Sequence, residues 1–387
     1  MRRWLLPEHI EDVLPAEARA IERLRRGILD LFEAHGYELV APPLLEYVES
    51  LLSGTGRDMD LATFKLVDRL SGRMMGVRAD HTPQVARSDA HRLNREGVTR
   101  LCYCGSVLHT VPSGMTRTRE PIQIGAELYG HAGLEADLEV LGMLAGALSG
   151  AGVTGLAVDV GHPGIYRALV EGAKLDAENA QALFHAVQQK DMPGVTALAG
   201  ALGAERREAL ARLTRLHGGL DTIARARAEL PALSGVVAAL DAVDRLTREA
   251  AVSGAALSVD LAELGGFNYE SGIVFAAFAP GSPDALARGG RYDDVGRSFG
   301  RARPATGFTM DLRQLASLVP GSQRRKAILA PASGDAALAA LVAKLRDGGE
   351  IVVADLPGHA AARAELGCDR AIESQGGRWQ VVPLKGN

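Results

Sequence analysis

The stretch "VTRLCYCGSVLHTVPSGMTRTREPIQIGAELYG" (Val98–Gly130) holds two apolar runs around a polar loop. The runs "VTRLCYCGSVL" and "EPIQIGAELYG" read as two strands of one sheet, with the Pro, Ser, Gly and Met residues connecting them. The second run carries an amide and a carboxylate, Gln123 and Glu127, four residues apart. Alternation puts positions 123, 125 and 127 on one face of a strand and Ile122, Ile124 and Leu128 on the other. Gly125, between the two polar side chains, leaves room for a ligand. A carboxylate and an amide converging over a glycine suit an ammonium or an imidazole N–H. The same pattern also fits a half-solvated sheet face.

Working outward, "PAEARAIERLRRGILDLFEAHGY" places Ile21, Leu24, Ile28, Leu31 and Phe32 on one helical face, with Gly36 as a stop. "ELVAPPLLEY" is extended, forced by Pro42 and Pro43. "TFKLVDRLSGRMMGVR" reads as a hairpin around Ser71 and Gly72. "DHTPQVARSDAHRL" starts a helix with Thr82 as N-cap and Pro83 at the first helical position. Beyond Gly130 come a helix from about Asp137 to Gly150 and the strand "GLAVDVGH". Residues 163–254 are Ala- and Leu-rich with helical spacing. Then "ALSVDL", "GGFNYESGIVFAAF" and "LARGGRYDDVGRSFGRARPATGFTMDLRQL" read as strand, hairpin, Gly-rich turn, strand and helix. "GSQRRK" reads as a linker. After it "KAILAPA", a helix, "EIVVADL", a short helix and "RWQVVPL" alternate. The expected fold class is α+β. An antiparallel sheet flanked by helices forms from 1–162 and 255–320, a helical insertion spans 163–254, and a small C-terminal α/β domain spans 326–387.

The 387 residues suffice for two or three domains with real cores. Net charge is −4, which argues against nucleic acid as the main partner, because such affinity comes from neutralised phosphates. No apolar run of signal-peptide length follows Trp4, and none approaches the ~20 residues of a membrane span, so a cytoplasmic protein is expected. Cys102 and Cys104 with a distant Cys368 make poor zinc spacing and read as core thiols; no metal is implied. No Walker A motif, dinucleotide fingerprint, H-E-x-x-H run or nucleophile elbow is present, so neither a cofactor nor a catalytic residue is assigned. "GGRYDD" (289–294) lets a backbone approach closely beside Arg291, Tyr292 and Asp293, and also fits a plain hairpin turn.

Taken together, "GVRADHTPQVAR", "IQIGAELYG", "ARGGRYDDVGRSFG" and "PATGFTMDLRQL" resemble class II histidyl-tRNA synthetases in order and spacing. "AHGYELVAPPLLEY" is similar to that class's first, dimer-forming motif, with Pro43 at its proline. The resemblance covers roughly residues 5–318. It implies an antiparallel sheet that binds ATP and histidine and charges tRNA. It further implies that Glu127 and Tyr292 take the imidazole, that Gln123, Thr82 and Asp80 hold the α-amino end, and that Tyr269 lines the pocket.

The departures from that pattern point elsewhere. The second-motif arginine that clamps the α-phosphate aligns with His109, and the glutamate near the adenine aligns with Val111. The third-motif arginine aligns with Gln314; neighbouring Arg313 would point about 100° away on a helix. The histidine-branch arginine aligns with Gly265. Fixed guanidiniums stabilise phosphoryl charge through bidentate hydrogen bonds, and losing one such donor costs about 3 kcal/mol of transition-state stabilisation. Three lost together should remove adenylation. Arg117 and Arg119 remain in the loop as possible anion contacts. The C-terminal domain is also shorter than a synthetase's anticodon-binding domain.

A synthetase-like core that senses histidine without activating it resembles the regulatory subunits of ATP phosphoribosyltransferase. That resemblance implies a short-form catalytic subunit as partner, a homodimer within a hetero-octamer, L-histidine as effector and no tRNA. A divergent histidyl-tRNA synthetase, or an amino-acid ligase of the same fold, is the alternative.

Overall fold

In the computed structural model, the strands β5 (Thr99–Ser106) and β6 (Ile122–Tyr129) pair antiparallel, with Gly105 opposite Gln123, Tyr103 opposite Gly125 and Leu101 opposite Glu127. The structure describes residues 4–53, 57–112, 118–250, 252, 254–265, 270–319 and 325–384. The chain forms two compact units, Met1–Pro320 and Gly321–Asn387.

Around β5 and β6 the first unit builds a nine-stranded sheet. Its other members are β1 (Glu38–Leu39), β7 (Leu156–Gly161), β8 (His217–Gly218), β9 (Ala255–Asp260), β10 (Val274–Phe278), β11 (Ala287–Arg291) and β12 (Ala305–Asp311), in the order β1-β5-β6-β12-β11-β10-β7-β9-β8. The six strands from β5 to β7 are antiparallel neighbours, while β1 joins β5 and β9 joins β7 in parallel. A separate three-stranded sheet holds β2 (Leu45–Tyr47), β3 (Phe64–Val67) and β4 (Met74–Val77), with β4 central. The hairpin expected around Ser71 and Gly72 is β3–β4, and Gly72 takes φ +72° there.

One face of the large sheet is apolar. Ile124, Ala126 and Leu128 of β6 join Phe308 and Met310 of β12 in a single core. The helix Pro15–Ala34 buries Ile21, Ile28 and Phe32 against it, and Leu24 and Leu31 pack at its margin. Its stripe follows the 3.6-residue period, and each such side chain contributes about 1.5–3 kcal/mol when fully removed from water. Gly36 ends the entry into β1 with φ +79°. The helix Leu134–Gly150 is buried along most of its length in the same core. Between 163 and 254 the chain is helical apart from β8, and its buried Leu and Val residues join this core rather than a second one.

The opposite face carries the helix Thr82–Arg87, which runs into a π-helical turn, Ser88–Leu93. Helix assignment begins at Thr82 with His81 as cap residue, one position earlier than the sequence indicates. The π turn brings Asp89 inward, where it accepts both 2.8 Å and 3.0 Å bonds from Arg303.

The second unit is a four-stranded sheet in the order β14-β13-β15-β16, from β13 (Ala327–Pro331), β14 (Val352–Asp355), β15 (Cys368–Gln375) and β16 (Arg378–Pro383). The helix Ala336–Asp347 sends Leu338 into a small core with Ile328, Ala330, Val352 and Ile372. Strand β15 is absent from the sequence reading. It forms a tight hairpin with β16 across Gly376 and Gly377, both at positive φ. A Gly-Gly pair of that kind is a two-residue hairpin signal. Of the segment read as a linker, 321–324 lies outside the described residues.

Candidate functional site

The polar face of β6 meets three elements. Glu127 is 1% exposed, and its carboxylate is surrounded by hydroxyls. Thr82 Oγ1, at the start of its helix, donates to Glu127 Oε1 at 3.0 Å. Tyr103, on β5, donates to the same oxygen at 3.2 Å. Tyr292, just past β11, donates to Glu127 Oε2. Room for the carboxylate comes from β12: it lies over Gly307, the residue opposite Glu127 in register, where a β-carbon would collide with it. Burial pushes the Glu127 carboxyl well above its usual range, and the charge of Asp80 adds to this. An isolated carboxylate is costly in such a place, and the Thr82 and Tyr103 hydroxyls that donate to it offset part of that cost. A further N–H donor at Glu127 would favour the ionised form.

Five of the residues read from sequence therefore share one place. Thr82, Glu127 and Tyr292 touch directly. Asp80 accepts the Thr82 N–H at 3.4 Å, and burial raises its carboxyl above the ordinary value. Gln123 sits two alternations back along β6. Its Oε1 accepts from the His81 backbone N–H at 3.1 Å and pairs with His81 Nδ1 at 3.0 Å. Two features differ from the sequence reading. The space over Gly125 is taken by the Tyr103 ring and hydroxyl rather than left open. His81 was passed over between Asp80 and Thr82, yet it is 1% exposed and stacks face to face on Tyr103 at 4.7 Å. Burial lowers its pKa to about 4, with the Arg78 charge adding to this against the Gln123 bond, so the ring is neutral near pH 7. Tyr269 and Arg117 lie outside the described residues.

The turn that carries Tyr292 is held from beneath. Arg291 is buried and bonds Asp137 at 2.9 and 3.1 Å, the Gly133 carbonyl at 3.0 Å and the His131 carbonyl at 3.2 Å. Ser271 Oγ accepts the Asp293 N–H at 2.9 Å. Arg291 is thus a structural anchor and faces away from the pocket.

The other end of the same face is built differently. His109 turns its ring to the Ala79 carbonyl at 2.9 Å, and Val111 is exposed. Gln314 donates to Ser282 at 3.2 Å. Arg313 is buried against Glu11 at 3.2 Å. Arg119 lies over the Phe64 ring at 4.9 Å and donates to the His109 carbonyl at 3.1 Å. Asp311, opposite Gln123 in register, puts a carboxylate here that accepts the N–H groups of Ile122 at 3.1 Å and Arg313 at 2.9 Å. Gly265 lies past the exit of β9, at the Glu127 end of the register, and where its β-carbon would project the buried carboxylate of Glu270 is found, with Arg167 donating to the Glu270 carbonyl. At the positions 109, 265 and 314 the resemblance expects guanidiniums, and His109, Gly265 and Gln314 stand there instead. Sequence signals existed for neither acid.

A family profile described as histidyl-tRNA synthetase matches residues 9–315, and one described as the ATP phosphoribosyltransferase subunit HisZ C-terminal domain matches residues 325–382. The ATP phosphoribosyltransferase regulatory subunit of Ralstonia nicotianae is 57% identical over 385 residues, covering 100% of this chain and 99% of that one. The protein of the same name from Janthinobacterium sp. is 54% identical over 384 residues, covering 99% and 100%. Among solved structures, one titled ATP phosphoribosyltransferase regulatory subunit/histidyl-tRNA synthetase, from Bacillus halodurans C, superposes with TM-score 0.81 at 26% identity over 94% of this chain and 96% of that one. The histidyl-tRNA synthetase of Nostoc sp. PCC 7120 shares the fold, with TM-score 0.77 at 15% identity over 99% and 97%. The chain belongs to the family of ATP phosphoribosyltransferase regulatory subunits, which is built on the histidyl-tRNA synthetase fold.

Proposed function

We propose that this chain is a non-catalytic regulatory subunit that works with a short-form ATP phosphoribosyltransferase catalytic subunit in the first step of histidine biosynthesis, and that L-histidine bound at the Glu127 cluster inhibits the complex. The observation that carries the proposal is one sheet face with two unlike ends. The imidazole end keeps Glu127, Tyr292, Thr82 and Asp80 together. The phosphate end offers Gln314 and His109 with the carboxylate of Asp311 on the same face. A nucleoside triphosphate needs fixed cations, and adding carboxylates to such a place repels it.

Inhibition requires different histidine affinity in two states of the complex. Micromolar to submillimolar affinity, about 5–8 kcal/mol, suits a sensor of metabolite level. A homodimer through the region of β2–β4 is supported by Leu45, Val67 and Met74, which this small sheet and its margins expose together with Leu39, Leu44 and Leu70. We place that dimer in a hetero-octamer with catalytic dimers, in the cytoplasm and without tRNA. No helix among the described residues is long and apolar enough to cross a membrane. The test is reconstitution with a short-form catalytic subunit. Transferase activity should need this chain and should fall on adding L-histidine, and a histidine-dependent ATP–pyrophosphate exchange signal from this chain alone would overturn the proposal.

A further inference from the structure

His81 satisfies, from inside the chain, a group that the resemblance assigns to a ligand. An amide oxygen accepts two hydrogen bonds. At Gln123 Oε1 one comes from the His81 backbone N–H at 3.1 Å and the other from its ring Nδ1 at 3.0 Å. The backbone donor marks this atom as the oxygen, so Nδ1 carries the hydrogen and the ring donates on that side. The amide nitrogen of Gln123 is engaged at Asp80. With His81 in place, Gln123 has no acceptor left for an incoming ammonium.

The ring is packed in rather than laid over the surface. It stacks on Tyr103 with 9° between the ring planes, and Tyr103 in turn donates to Glu127. Its second nitrogen, Nε2, lies 3.1 Å from the point that a β-carbon on Gly105 would occupy, and Arg78 Nη2 lies 2.6 Å from the same point. The two side chains fill that ground. Arg78 is fixed there by the carbonyls of Ser106 and Pro42, both at 2.8 Å. The His81 backbone is in the α region, with φ −87° and ψ −32°, a conformation open to any residue. What is particular about the position is therefore the ring.

We propose that the His81 imidazole is an internal stand-in for an ammonium ligand: it holds Gln123 in the free chain, and an amino acid takes that acceptor only when the ring swings away. The inference rests on the proposed histidine reading and deepens it, because it makes His81 the residue that sets the affinity of that site. When only a fraction of molecules is competent to bind, the apparent affinity falls by that fraction. With the ring out in about a tenth of molecules, binding is roughly 10-fold weaker than an open site would give. A neutral ring suits this role. Burial and the Arg78 charge both oppose its protonation, so no buried charge pins it in place.

The test is calorimetric titration of the full chain with L-histidine and with imidazolepropionate, which lacks the ammonium. His81→Ala removes the ring and keeps the backbone N–H. It should tighten L-histidine roughly 10-fold, or bind it where the wild type does not, and leave imidazolepropionate within about twofold. Unchanged or weaker L-histidine binding by the folded variant would overturn the proposal. So would an equal gain for both ligands, which would mean a general loosening. If His81→Ala does not fold, nitrogen NMR of the wild-type histidine rings decides. The His81 Nδ1 signal should leave its hydrogen-bonded position at saturating L-histidine, and a signal that stays there ends the proposal. If neither chain binds L-histidine, the effector reading fails. Titration with glycine then separates the two: binding to His81→Ala but not to the wild type keeps the internal stand-in, and any other pattern removes it.

Discussion

The two ends of one sheet face are furnished differently. At the Glu127 end Thr82, Glu127 and Tyr292 bond to one another, with Asp80 and Gln123 beside them. At the Asp311 end, a few residues along the same two strands, His109 and Gln314 stand where the resemblance expects arginines, and the carboxylate of Asp311 accepts two backbone N–H groups. Both ends share β6 and β12, so the backbone is held equally at each. One frame can therefore carry a cluster of hydroxyls and carboxyls at one end without the fixed guanidiniums that phosphoryl chemistry uses at the other.

The sharpest way to break this contrast is to ask the acidic end for chemistry. ATP–pyrophosphate exchange should be absent in the wild type and stay absent in Gln314→Arg, since one cation of three cannot restore the clamp. Next in size is the frame under Tyr292. Arg291→Met leaves Asp137 buried without its cation and should cost about 3–5 kcal/mol in chemical denaturation, with loss of histidine binding as the turn loosens. At the pocket itself, Glu127→Ala should weaken L-histidine about 100-fold by calorimetry and lower the melting temperature, because the hydroxyls of Thr82, Tyr103 and Tyr292 lose that acceptor.

A pH experiment sharpens the same point. Glu127 and Asp80 have carboxyls raised by burial, so the folded protein binds their protons more tightly than the unfolded chain does. The stability they contribute is complete below the ordinary carboxylate range and is lost as pH rises through their folded values. Glu127→Gln should therefore flatten the fall in melting temperature as pH rises above the ordinary carboxylate range. The smallest effect belongs to the loop edge. Arg119→Ala should cost no more than about 1–2 kcal/mol, the worth of a half-buried cation over the Phe64 ring, and should leave histidine affinity unchanged.

Much of this was readable in the chain. Period-two alternation in β6 assigned its two faces correctly, because burial on one side fixes the register. The Gly-rich run before Tyr292 was legible as a close approach, although what approaches Gly289 and Gly290 is the neighbouring strands, at the carbonyls of Gly307 and Ile273, rather than a ligand. Three things were not legible. Tyr103 looked like a core aromatic, since nothing in a strand pattern tells whether a ring leans along its own strand or across to the next. His81 hid between two better candidates, and only the fold shows that its ring turns onto Gln123. Glu270 and Asp311 act through space that opens only when Gly265 and β12 are placed, which spacing alone does not reveal. In the second unit, β15 is polar and half-exposed, so it lacks the apolar run that marks a strand.

Asp311 also caps the helix Leu312–Leu318 and ties it to the start of β6 through the N–H of Ile122. One carboxylate thus fastens two elements at a single point. Asp311→Ala would free the first turn of that helix and the start of β6 together, so a change at one residue would be felt on both sides of the sheet's edge.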